Sequence, residues 1–246
     1  MSAFLEHGAG APLALLHGIG GAAHLWAPVH GRRTLAWNQP GYGRTALPDP
    51  LTFAALADAL ARDLDAAGVE RADLVGHSMG GMIALEFALA HPERVERLVL
   101  YATTPAFGGR DPAFARDFLA ARLGPLDAGR SMAECAATLA GGMCAPGADP
   151  AAEPAAIAAM AEVPEATYRA TLACLATFDR RSGLPRLAAP TVLIAGEQDA
   201  VAPPRTMQRM AEAIAGARLI VVPGAGHLAH LEQPAAFGAA LEEALA

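Results

Sequence analysis

A serine set between two glycines is the stretch of this sequence best suited to chemistry. An apolar run over 72–75 leads into Gly76-His77-Ser78-Met79-Gly80-Gly81, and a helix-forming stretch follows over 82–91. This order predicts a strand, a sharp turn and a helix, with Ser78 at the tip of the turn. Glycines two residues to either side leave room for a strained turn residue. The turn exposes the hydroxyl and points a helix N-terminus at it, which favours a nucleophile over a solvated loop serine.

A serine hydroxyl becomes a good nucleophile when a base takes its proton and an acid orients that base. Asp199 follows the apolar run 191–195, and His227 follows the run 218–222. Both are therefore predicted at the ends of strands that come after the serine. The chain order Ser, Asp, His is the order expected on a hydrolase sheet of this type.

Each of these two residues has a rival. Glu197 is nearer to its strand, but Asp199 lies further into the loop, where it can reach across, and is favoured as the acid. His227 directly follows a Gly-x-Gly turn, whereas His230 is predicted on a short helical turn. The sequence therefore favours His227 as the base.

Backbone N–H groups are predicted to stabilise the negative charge that develops on the attacked oxygen. One is the N–H of Met79, directly after the nucleophile, and the other is that of Ile19, in the loop after an apolar run. Three neighbours are candidate pocket residues: His17, Gly18 and His77. Neither histidine has an acid placed to orient it, so both are predicted to be wall and packing residues.

The elements that must position these residues alternate along the chain. Strands are predicted at 13–16, 34–37, 72–75, 95–101, 191–195 and 218–222, and helices at 52–67, 82–91, 204–214 and 233–244. Such alternation predicts an α/β protein with a doubly wound, mostly parallel sheet. Chemistry in such sheets lies at the carboxyl ends of the strands.

The pattern changes between residues 104 and 186. Strand patterns vanish, and proline and glycine separate short helical pieces at 112–123, 131–141, 154–160 and 165–178. We expect a helical lid over the active-site end of the sheet. The predicted organisation is a core of residues 1–103 and 187–246 with a lid insertion at 104–186.

Composition narrows the class of protein. The chain has 246 residues and a formal net charge of −7, which argues against nucleic acid as a partner. All 18 basic residues are arginine, which excludes lysine Schiff-base chemistry and a P-loop lysine. Three widely spaced cysteines and no secretory or membrane-spanning pattern predict a cytoplasmic protein. No metal site, cofactor or membrane partner is expected, and we expect a monomer or small homo-oligomer.

Several of these motifs together resemble the α/β-hydrolase superfamily. They are the segments at 17–21, 40–43, 76–81, 196–199, 226–227 and 232–234. The resemblance implies the α/β-hydrolase fold with a shortened N-terminus and with the lid inserted after the sixth strand of the family pattern. Within the superfamily, residues 178–191 look most like 3-oxoadipate enol-lactonases and their esterase relatives. The chain departs from the family at Asn38, where an aspartate is usual, and this bears on loop packing.

The resulting expectation is a serine hydrolase that acts on a small-molecule carboxylic ester or lactone. The same residues would also serve a C–C bond or amide hydrolase, and a ligand-binding receptor with negligible turnover is a further alternative. Arg180 and Arg181, at the end of the lid, are candidates for binding a substrate carboxylate. Their alternative is to be solvated surface charges, one of them paired with Asp179.

Overall fold

The structure is a computed structural model that describes residues 3–43, 45–108 and 112–246. The predicted core also includes Met1, Ser2 and Arg44, and the predicted lid includes residues 109–111; these lie outside the described residues.

A seven-stranded sheet runs through the described part of the chain, in the order β1-β3-β2-β4-β5-β6-β7. Its strands are β1 Phe4–His7, β2 Ala11–Leu16, β3 Arg32–Trp37, β4 Ala72–His77, β5 Val95–Tyr101, β6 Thr191–Gly196 and β7 Arg218–Val222. Strands β2 to β7 are parallel, whereas β1 pairs antiparallel with β3 at one edge. The prediction of a mostly parallel sheet is confirmed, and the short β1 is the strand that it missed.

Helices cover both faces of this sheet. They are α1 Phe53–Ala66, α2 Met79–Ala90, α3 Pro112–Asp127, α4 Met132–Ala140, α5 Ala152–Glu162, α6 Glu165–Leu175, α7 Pro204–Glu212, α8 Ala229–Glu232 and α9 Pro234–Leu245. None of the helices in the described residues is both long and apolar enough to cross a membrane.

Successive strand residues face opposite sides of the sheet, and each side has its own core. In β2, Leu13 and Leu15 pack on the side of α9, whereas Ala14 and Leu16 pack on the side of α1 and α2. Helix α1 begins where the Thr52 hydroxyl accepts a hydrogen bond from the Ala55 N–H, at 3.1 Å. Parallel strands buried on both faces explain the unbroken apolar runs in the sequence.

Helix α2 packs unusually close to the strands beside it. A Cβ on Gly76 would lie 2.5 Å from the Gly81 Cα, and one on Gly80 would strike the carbonyl oxygens of Leu16 and His17. No side chain fits in either place. The glycines around Ser78 therefore set the distance between the helix and the sheet.

Helices α3 to α6 form a helical insertion, residues 104–186, between β5 and β6. In our count it follows the fifth strand of the chain. Its two ends run side by side, since Ala106 and Asp179 form an antiparallel bridge and the Arg180 N–H donates to the Pro105 carbonyl at 2.8 Å. The four predicted helical pieces fall on these four helices with their ends shifted.

The close packing of α2 leads to a stability prediction. We expect Gly76→Ala to lower the free energy of unfolding by about 1–3 kcal/mol, because the added methyl forces α2 away from β4. Urea denaturation followed by circular dichroism measures this. The matched control is Gly238→Ala in α9, where an added Cβ meets nothing within 4 Å. The control should be neutral or stabilising, by up to about 1 kcal/mol. Equal midpoints for the two variants would contradict the packing argument.

Candidate active site

Ser78 occupies a strained turn between β4 and α2. Its backbone has φ 52° and ψ −118°, a conformation that costs a non-glycine residue free energy. The surrounding structure holds it there: the Ser78 N–H donates to the Tyr101 carbonyl at 2.9 Å, and the Thr103 hydroxyl donates to the Ser78 carbonyl at 2.7 Å. The side chain is half-buried and lines a large cavity.

Asp199 and His227 meet at the carboxyl ends of β6 and β7. Asp199 Oδ2 lies 2.8 Å from His227 Nδ1, and each residue is only 3% exposed. Asp199 Oδ1 accepts from the N–H groups of Val201 and Ala202 at 2.7 and 2.9 Å. Burial by itself raises the pKa of Asp199, but the hydrogen bonds from His227, Ala202 and Val201 hold that pKa below its usual value. A carboxylate therefore orients the imidazole.

His227 and Ser78 line the same cavity. The structure brings the three predicted residues to one end of the sheet. No hydrogen bond between the Ser78 hydroxyl and His227 is formed among the described residues. Such contacts are often long before a substrate binds.

The rival acid and the rival base are engaged elsewhere. Glu197 accepts the Gly224 N–H at 2.8 Å and is exposed. His230 lies on α8 as predicted, where its Nδ1 is 3.1 Å from the Tyr101 hydroxyl and its ring stacks on Trp26 at 4.8 Å. Neither occupies the position that an orienting acid or a base would need.

Three buried histidines surround the site. Burial lowers the pKa of His17 to about 4 and that of His230 to about 3. Burial together with His227 and His230 also holds the pKa of His77 well below its ordinary value, while its Nε2 lies 2.9 Å from the His227 carbonyl. These imidazoles stay neutral and are weak bases. His17 and His77 line the cavity as wall residues, as the sequence predicted.

Two backbone N–H groups border the same cavity without a partner. Met79 begins α2, where the first N–H groups have no partner within the helix, and Ile19 lies in the loop after β2. In the described chain neither N–H has an acceptor. Gly18 brings this loop against Ser78, since a Cβ on Gly18 would lie 2.9 Å from the Ser78 Cβ.

The prediction that Arg180 lines the substrate pocket is wrong. Its guanidinium is bound in a two-pronged ion pair to Glu86 of α2, and Arg180 is not among the cavity-lining residues. Arg181 does reach the cavity, but its Nη2 lies 2.5 Å from Asp179 Oδ2. Each guanidinium already has a carboxylate partner within the protein.

The cavity has a volume of about 760 Å³, within the range usual for small-molecule sites. One wall comes from the strand ends and their loops, and the other comes from the helical insertion. Three lining residues were not singled out from the sequence: Trp26, Arg122 and Tyr168. Nothing in their local sequence distinguishes them from ordinary core or surface residues. Among the described residues, no group of three or more His, Cys, Asp or Glu side chains is arranged to hold a metal ion.

Glu232 fixes the loop that carries His227. Its side chain is 1% exposed and accepts the N–H groups of Gly226, Leu228 and Ala145 at 2.8, 2.7 and 2.7 Å. Two of these N–H groups flank His227, and the third belongs to the helical insertion. The His227 N–H itself donates to the Met143 carbonyl of the insertion at 2.8 Å. Glu232 therefore joins the histidine loop to the insertion.

Comparison with known proteins places this fold in a family. The profile of the alpha/beta hydrolase fold family matches residues 11–234. The chain belongs to the α/β-hydrolase fold family. This agrees with the sheet order, the turn at Ser78 and the position of the insertion, and the resemblance seen in the sequence is confirmed.

Three relatives illustrate the range of this α/β-hydrolase. It is 34% identical to the "Putative carbamate hydrolase RutD" of Variovorax paradoxus, over 96% of this chain and 92% of that protein. It is 30% identical to a 2-hydroxymuconate semialdehyde hydrolase of Pseudomonas sp. strain CF600, over 98% and 89% of the two chains. A malate-bound esterase structure from Thermogutta terrifontis is 28% identical, with a TM-score of 0.87 over 99% and 92% of the two chains. The relatives are named as enzymes, and this protein is an α/β-hydrolase enzyme.

Glu232→Gln tests whether the buried side chain holds the histidine loop. A glutamine amide donates where the carboxyl oxygen accepts, so at least one buried N–H loses its partner. We expect the free energy of unfolding to fall by about 1–3 kcal/mol. Amide hydrogen exchange at Gly226, Leu228 and Ala145 should accelerate more than elsewhere. Glu242→Gln, at an exposed position of α9, is the control and should change neither quantity. Unchanged exchange at these three amides would refute the anchoring role.

Proposed function

We propose that this α/β-hydrolase is a serine hydrolase that cleaves a carboxylic ester or lactone through an acyl-enzyme intermediate. The observation that supports it most strongly is the buried contact of 2.8 Å between Asp199 Oδ2 and His227 Nδ1, at a cavity that Ser78 also lines. An acid that orients an imidazole beside a strained serine is the arrangement that acyl transfer needs.

In this proposal Ser78 Oγ attacks the acyl carbon while His227 Nε2 takes the hydroxyl proton. The carbonyl π electrons move to the oxygen, which the N–H groups of Met79 and Ile19 stabilise. Collapse of this intermediate breaks the bond to the leaving oxygen, which receives the proton from His227. A water molecule then attacks the acyl-enzyme in the same way, with His227 again as base. Asp199 stabilises the imidazolium that forms in each step.

The helical insertion would act as the lid over this chemistry. Its residues supply a mostly apolar cavity wall, including Leu139, Met143 and Met160. An apolar wall excludes water from the reacting bond and selects small to medium acyl groups by shape.

A second candidate is hydrolysis of a carbamate, amide or C–C bond by the same residues. The printed names of two relatives, a carbamate hydrolase and a 2-hydroxymuconate semialdehyde hydrolase, favour this alternative. Steady-state rates on matched ester, lactone, amide and carbamate substrates distinguish the two candidates. The substrate with the highest kcat/KM decides between them.

Ser78→Ala tests the nucleophile. A fluorophosphonate probe should label the wild-type protein at Ser78 and leave Ser78→Ala unlabelled. The rate of ester hydrolysis should fall by about 10³-fold or more. Labelling that persists in Ser78→Ala would remove the assignment. Absence of turnover on every activated ester would favour a ligand-binding receptor instead.

Two matched pairs test the base and the acid. His227→Ala should approach the loss of Ser78→Ala, because nucleophile and base act as one unit. His230→Phe keeps a ring against Trp26 and should lose less than about tenfold, since an imidazole of such low pKa is not the base.

Asp199→Asn should lose about 10²- to 10⁴-fold while the fold is retained. Glu197→Gln, in the same loop but exposed, should stay within about twofold of wild type. An equal loss in the two acid variants would leave Asp199 without support as the orienting group.

A further inference from the structure

The cavity is rich in positive charge although the chain as a whole is negative. The formal net charge is −7, yet among the described cavity-lining residues no aspartate or glutamate occurs. The charged side chains that line it, histidines aside, are Arg122, Arg181 and Arg209. One sign of charge in a cleft with low-dielectric walls attracts ligands of the opposite sign.

Arg122 differs from the other two because it is both shielded and unpaired. Arg181 is bound to Asp179, and Arg209 is exposed on α7. Arg122 is half-buried, and its side chain forms no hydrogen bond or ion pair with the rest of the described chain. The other described arginines without such a partner are exposed: Arg62, Arg186, Arg205 and Arg209. Shielding an unpaired charge from water costs free energy, which an anionic ligand would recover.

Aromatic side chains hold the Arg122 guanidinium in place. Its central carbon lies 3.6 Å from the centroid of the Phe118 ring, one turn earlier on α3. Stacking on a ring face uses the plane of the guanidinium and leaves its N–H edge free for a carboxylate. Phe114, a further turn earlier, also lines the cavity, so one face of α3 presents two rings and the cation to the ligand.

Tyr168 of α6 supplies a second donor next to Arg122. It is buried, it lines the cavity and it interacts electrostatically with Arg122. Its hydroxyl has no hydrogen-bond partner in the part of the chain that the structure describes. Burial raises the pKa of Tyr168 to about 12, so the hydroxyl stays protonated and able to donate.

We propose that Arg122 and Tyr168 bind a free carboxylate on the substrate, so that this α/β-hydrolase acts on esters or lactones that also bear an acid group. This inference rests on the proposed function, because it assigns a substrate class to the same cavity. The guanidinium forms a bidentate pair with the carboxylate, and the phenol donates to one of its oxygens. The rings of Phe114 and Phe118 pack against the apolar chain between the acid and the reacting carbonyl.

The test compares two substrates that differ only in charge at the far end. They are the para-nitrophenyl half-ester of adipic acid and the same ester with its free acid converted to the primary amide. We expect wild type to favour the acid by at least about tenfold in kcat/KM, with the difference mainly in KM. In Arg122→Gln this ratio should fall to near one. Arg122→Lys keeps the charge without the planar fork and should give an intermediate ratio.

Arg205→Gln is the matched control, since Arg205 is exposed and does not line the cavity. It should keep the wild-type ratio. A wild-type ratio near one would overturn the inference. So would a ratio that survives in Arg122→Gln, or one that is lost in Arg181→Gln and kept in Arg122→Gln.

A binding measurement separates this inference from the proposed function. Calorimetric titration of Ser78→Ala with adipate needs no turnover. We expect binding that weakens by at least about tenfold when Arg122→Gln is added. Equal affinity in the two proteins, or no binding to either, would overturn the inference. An unlabelled Ser78 with intact, Arg122-dependent adipate binding would overturn the proposed function alone.

Discussion

The close contact between helix α2 and the strands β4 and β2 is the constraint on which the site depends. The helix starts so near the strands that only glycine fits at 76 and 80. The chain must therefore turn within one residue, and Ser78 takes a conformation that costs about 1–3 kcal/mol. Hydrogen bonds to the Ser78 backbone from β5 and the loop after it keep that residue in place. The same turn sets where the Met79 N–H lies, so one packing contact positions both the hydroxyl and a donor for the oxyanion.

The histidine loop depends on a different contact, and it comes from the helical insertion. Glu232 joins the N–H groups on either side of His227 to the N–H of Ala145, and the Met143 carbonyl accepts from His227 itself. The insertion thus does more than cover the cavity. A displacement of residues 143–145 would alter the cavity wall and the imidazole position together, which couples substrate fit to proton transfer.

The sequence could predict Ser78, Asp199 and His227 because each lies in a local pattern, an apolar strand followed by glycine and a loop. It could not predict β1, whose four residues include one buried side chain and three exposed ones, because no apolar run announces such an edge strand. Nor could it predict the partner of Arg180. Glu86 lies 94 positions earlier, on the outer part of a helix that otherwise reads as fully apolar. Pairings at that separation are set by the packing of the insertion on α2.

The same reason hides Arg122 from sequence analysis and makes it informative in the structure. Most arginines of the described chain are engaged by acidic side chains or carbonyl groups, so a free guanidinium is defined by the positions of all the others. Arg122 stays partly shielded without an acid because a planar guanidinium can stack on Phe118, which a lysine ammonium does less well. The strand ends then supply the groups that break the bond, whereas α3 and α6 supply the charge that chooses the ligand. Since the insertion carries that charge on elements separate from the sheet, substrate preference in this fold can change without moving Ser78, Asp199 or His227.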